Sequence, residues 1–124
     1  MPNPTGQVQP FRPDLRSVRD ARLFVQRVTG CSASDPAALL VSELSTNAVL
    51  HAGTEFTVTV HGEESAPIRV EVTDGNSGSP TLRDNAMTPN GRGLRIVASL
   101  AERWGVDEHP GGTKTVWFEL VPGP

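Results

Sequence analysis

The stretch ELSTNAVLHA, residues 43–52, decides how the rest of the chain is read. Leu40, Leu44 and Ala48 recur at helical spacing and form a core stripe. Glu43, Asn47 and His51 follow the same four-residue step on the adjacent stripe, because residues i and i+4 share a helix face. A carboxylate, an amide and an imidazole stacked beside a buried face have two readings. They are a solvated flank, or they face a ligand.

Upstream, Ser34-Asp35-Pro36 is a helix start, with a capping oxygen ahead of a proline that lacks an N–H. The helix is expected to run to about His51 and stop before Gly53. An earlier helix is expected from Asp14, with Leu15, Val18, Ala21, Arg22, Val25 and Val28 at helical spacing and Gly30 as its stop. Pro2, Pro4, Pro10 and Pro13 make residues 1–13 a flexible tail, with at most a short edge strand around Val8 to Phe11.

Downstream, Phe56, Val58 and Val60 alternate with polar residues, as do Ile68, Val70 and Val72, predicting two half-buried strands around a Gly62 to Pro67 turn. The same parity places Asp74 on the core face, where a carboxylate needs a donor from the protein or from a ligand. Residues 75–93 are rich in glycine and proline and predict a long loop, of a kind usually tied to function. A helix is expected from near Gly93, a short strand at Trp104 and Val106, and a last strand over Thr115 to Val121.

Gly91-Arg92-Gly93-Leu94 leads from the loop into that helix, where free N–H groups and a positive dipole end can receive an anion, or simply make a turn. On the last strand, parity groups Lys114, rather than Thr113, with Val116, Phe118 and Leu120.

Composition limits the function classes. With 124 residues there is room for one domain and one core, so a large substrate is another molecule. Hydrophobic residues make up 36%, and no apolar run approaches a bilayer span; the start, MPNPTGQVQPF, has no signal-peptide pattern. A cytoplasmic protein away from membranes is the expectation. A net charge of -3 argues against direct nucleic-acid binding, although ten arginines accompany a single lysine. Cys31 is alone and is read as a small buried or semi-buried side chain.

Taken in order, these segments resemble the Bergerat-fold (GHKL) ATP-binding family of gyrase, sensor histidine kinases and mismatch-repair ATPases, and most of all its branch of anti-sigma-factor serine/threonine kinases. Glu43 to Ala48 is similar to the family's N box, Asp74 to Gly78 to its first glycine box, Gly91 to Leu94 to its second, and Gly112 to Val116 to its last. The likeness implies an α/β fold: a two-layer sandwich with a mixed, mainly antiparallel sheet and helices on one face. The domain would span residues 14–121, with 122–124 as a C-terminal tail.

Carried onto this chain, the resemblance implies ATP and Mg²⁺ as cofactors. Asn47 would give its amide oxygen to Mg²⁺, and Asp74 would accept from the adenine amino group. Glu43 would be the catalytic base on a serine hydroxyl or on water. His51 would touch a phosphate or serve as a structural helix-end residue. Gly91, Gly93 and Leu94 would hold the phosphates, with Arg92 as an added cation or a solvated charge, and Gly78 of the first glycine box would be a further nucleotide-binding residue. Thr113 would sit near the base, and Ser79 to Asn90 would form a lid.

The implied function is phosphorylation of a small anti-anti-sigma (STAS-like) partner together with sequestration of a sigma factor, and homodimerisation is a further expectation. Asn76 stands at a family glycine position, and Arg95 takes the place of a third glycine in the second box. Those departures favour the alternative, a non-catalytic ATP-binding module that regulates by partner binding alone.

Overall fold

The computed structural model describes residues 6–62, 67–75, 97 and 99–120. Strand β1 is Gln7–Phe11, helix α1 Arg16–Thr29 and helix α2 Pro36–Asn47, followed by a π-helical turn, Ala48–Ala52. Strands β2 (Phe56–His61), β3 (Ile68–Asp74), β4 (Arg103–His109) and β5 (Thr113–Leu120) complete the described elements.

Helix α2 starts where its capping residues dictate. The Asp35 carboxylate accepts from the Ala37 N–H at 2.9 Å, and Pro36 takes the first turn. The helix buries Ala37, Ala38, Leu40, Val41, Leu44, Ser45 and Asn47, a face wider than one stripe. Its regular geometry ends at Asn47. In the π turn the Gly53 N–H reaches the Ala48 carbonyl, five residues back, at 3.0 Å, and Gly53 takes the left-handed conformation (φ 68°) that glycine adopts without a Cβ penalty. The expected boundary before Gly53 is thus correct, but the helix changes type before reaching it.

Helix α1 ends in the same way, Gly30 at φ 79° donating to the Gln26 carbonyl at 2.8 Å. It buries Ser17, Ala21, Phe24 and Val25, and Val28 packs against the core. Leu15, expected on the apolar stripe, is instead exposed, because it precedes the first helical turn.

The strand order is β1-β2-β3-β5-β4, and each neighbouring pair is antiparallel. The expected mixed sheet is therefore wholly antiparallel among the described strands. Cross-strand partners Val58↔Val72↔Val116 and Val60↔Val70↔Phe118 line one face. Helices α1 and α2 pack against each other; α1 also meets β1 and β2, and α2 meets β3. Helix and strand side chains together form the core, so this is a two-layer α/β sandwich. Each fully buried Val or Phe contributes about 1.5–3 kcal/mol.

The opposite face is polar. Arg69 donates to Glu71 (2.8 Å) and Glu119 (3.2 Å), and its guanidinium lies 4.0 Å above the Trp117 ring centre. Burial alone would lower the Arg69 pKa, but the bonds to the two carboxylates outweigh it and raise the pKa above its ordinary value.

Part of the stretch expected as a tail belongs to the sheet. Strand β1 pairs with β2 from Gln7↔Val60 to Phe11↔Phe56. Phe11 is buried, stacked 5.3 Å from Phe56 and edge-on to Phe24 at 6.3 Å, so its burial draws the segment onto the sheet. Strand β4 is longer than the short strand expected. Val97, Ser99 and Leu100 are helical, within the helix expected from near Gly93, while residues 76–96, which hold most of the expected loop and the expected start of that helix, lie outside the described residues.

Candidate functional site

Asp74 ends β3 on the core face, where strand parity put it, and is 6% exposed. Its cross-strand neighbours are Phe56 and Lys114. The Lys114 Nζ lies 3.3 Å from Asp74 Oδ2, and both side chains are 5% exposed. The protein thus supplies a cation to the buried carboxylate.

The end of α2 is brought to the same end of the sheet by chain connectivity. The π turn leads through Gly53, Thr54 and Glu55 into Phe56, which pairs directly with Asp74. Thr54 Oγ1 accepts from the Gly75 N–H at 2.9 Å, fastening that connection to the residue after Asp74. A Cβ on Gly75 would come within 3.3 Å of the same oxygen, so close approach of the Thr54 side chain gives this glycine a structural reason.

On α2, Glu43 is partly buried and stands one regular turn before Asn47. Asn47 is 5% exposed, and its Nδ2 has no hydrogen-bond partner. An unpaired buried amide N–H costs about 1–3 kcal/mol, so an acceptor arriving from outside the protein would be bound favourably. Ser45 Oγ is a second buried polar atom without a partner.

His51 departs from the stripe. It lies in the π turn, where the wider winding breaks the four-residue register, and it is exposed. Thr113 is exposed as well, whereas Lys114 takes the inward position beside Asp74. Parity signalled Lys114 in the sequence; nothing there signalled the π turn or the Thr54 contact. Gly78, Gly91, Arg92, Gly93 and Leu94, with the Ser79 to Asn90 segment, lie outside the described residues.

The residues present fit a metal-bound nucleotide. Asn47 offers an amide oxygen of the kind hard cations accept, beside an N–H open to a phosphate or water oxygen. Among the described residues no group of three or more His, Cys, Asp or Glu could hold a metal alone. Two surface grooves, of about 460 Å³ near Phe11 and Asp14 and about 430 Å³ near Leu39 and Ser42, are not lined by Asp74, Asn47 or Lys114. No helix among the described residues is long and apolar enough to cross a membrane.

Comparison with curated proteins found no match. The family model described as the histidine kinase-like ATPase domain matches residues 11–118, spanning both helices and the sheet from the end of β1 into β5. By its ordered motifs, its antiparallel sandwich and this match, the chain belongs to the histidine kinase-like ATPase domain family.

Proposed function

We propose that this chain is an ATP-binding serine/threonine protein kinase of the anti-sigma-factor type, with a small anti-anti-sigma protein as substrate and a sigma factor as its sequestered partner. The family supports the ATP-binding and kinase-like part of this reading. The observation that carries the site is the convergence of a buried Asp74 with the end of a helix bearing Glu43 and a buried, unpaired Asn47 amide.

Asp74 accepts from the amino group of the base, and Asn47 holds the phosphate end through its amide. When bound, Mg²⁺ supplies charge neutralisation on the phosphates. Glu43 accepts the proton of the substrate hydroxyl as that oxygen bonds to the γ-phosphorus and the bond to the bridging oxygen breaks, leaving ADP. Its partial exposure leaves the carboxylate accessible to a protein side chain.

The test is transfer of labelled phosphate from ATP to the anti-anti-sigma partner. Glu43→Gln is expected to reduce transfer by about 100-fold or more while Mg-ATP still binds. Unchanged transfer would remove Glu43 from the mechanism. Asn47→Ala is expected to weaken ATP binding more in the presence of Mg²⁺ than in its absence, read by calorimetry.

The non-catalytic module is a second reading, favoured by Asn76 and Arg95 at glycine positions of the phosphate-binding boxes. It requires partner binding with no phosphate transfer from the wild-type protein.

A further inference from the structure

Lys114 is the chain's sole lysine, set against ten arginines, and its side chain is 5% exposed. An ammonium is strongly hydrated and costs several kcal/mol to bury, even beside a carboxylate. An apolar residue at 114 would continue the stripe of Val116 and Phe118, both buried on the same face of β5. Replacing a buried ion pair by apolar residues is often neutral or stabilising, so stability does not account for the lysine.

The donor count points to a ligand. An ammonium carries three N–H donors, and among the described residues its one partner is Asp74. Among the described residues two donors therefore remain without an acceptor, in a nearly water-free position. They lie beside the carboxylate that, in the function proposed above, accepts from the base amino group; the inference rests on that reading. The pair thus presents a donor and an acceptor side by side, 3.3 Å apart. Adenine offers the complementary pattern, its exocyclic amino donor adjoining ring-nitrogen acceptors.

We propose that Lys114 is a base-reading residue, its ammonium donating to a ring nitrogen of a 6-aminopurine nucleotide while Asp74 accepts from the neighbouring exocyclic amine. Asp74 keeps its contact with Lys114 throughout, since a carboxylate can accept from both. The lysine thus makes the pocket sensitive to a ring atom that an aspartate alone does not read.

Calorimetric titration of the full chain with ATP, 1-deaza-ATP and 7-deaza-ATP tests this, because each analogue lacks one ring acceptor. Wild type is expected to bind one analogue roughly tenfold or more weakly than ATP, the scale of a lost hydrogen bond to a charged group. Lys114→Met is expected to bind ATP and both analogues equally. Since that change strips Asp74 of its cation, the double variant Lys114→Met/Asp74→Asn, which leaves a neutral pair, is measured alongside and is expected to show the same loss of discrimination. Equal binding of all three nucleotides by wild type, or wild-type discrimination retained in both variants, overturns the role of Lys114 and leaves the ATP reading standing. Absence of ATP binding by wild type overturns the ATP reading itself.

Discussion

Asp35 shows how much a single side chain fixes. Its carboxylate takes the Ala37 N–H and sets where α2 begins, and thereby where Glu43 and Asn47 lie along the helix. Asp35→Ala is expected to cost about 1 kcal/mol, measured by urea denaturation. Asp14 acts at the other helix: the Arg16 backbone N–H, then its guanidinium, hold the Asp14 carboxyl below the usual aspartate value. A lowered folded pKa means that this contribution is complete above the unfolded value and is lost as pH falls through the folded one. Asp14→Asn is therefore expected to flatten that acidic portion of the stability curve, and an NMR titration of the Asp14 carboxyl checks the direction. At this scale the sequence was informative where chemistry is local. The cap at Asp35, the stop at Gly30 and the inward Asp74 all follow from spacing within a few residues. Lys114, which pairs with Asp74, lies forty residues away on β5, and only strand parity hinted at it.

Among the elements, β2 and β3 were legible because their apolar residues alternate and one face is buried. Strand β4 was legible only as a short strand at Trp104 and Val106, since it is an edge strand that is exposed along most of its length and carries little apolar alternation. Its Gly105 lies opposite Trp117 in register, where a Cβ would come within 2.7 Å of the indole ring. Gly105→Ala is expected to destabilise the protein by about 1–3 kcal/mol through overpacking against that ring, read from a lowered urea midpoint. The π turn was illegible for a different reason. Ala48 to Ala52 has an ordinary helical composition, and the wider winding shows only in the five-residue hydrogen bond to Ala48. That winding separates exposed His51 from buried Asn47, so the stripe of Glu43, Asn47 and His51 holds for its first two members alone.

For the whole molecule, the sandwich rests on contacts between segments distant in sequence. Phe11 joins the first strand to α1 and β2 through Phe24 and Phe56. Phe11→Ala is expected to cost about 3–5 kcal/mol, a large share of a small domain's stability, and to lower the thermal midpoint accordingly. The layer architecture was legible because two helical and several alternating segments have few ways to bury their apolar faces together. Strand order was not, because β5 inserts between β3 and β4 and nothing local encodes that placement. The same insertion sets the chain's lone side-chain amine, Lys114 on β5, beside Asp74 on β3, where it is nearly buried. In the nucleotide-free protein acylation of Lys114 thus reports on access to the site beside Asp74, and bound ATP is expected to slow it. Brief pulses of an acylating reagent with and without ATP, read by mass spectrometry, would follow that access without any engineered probe.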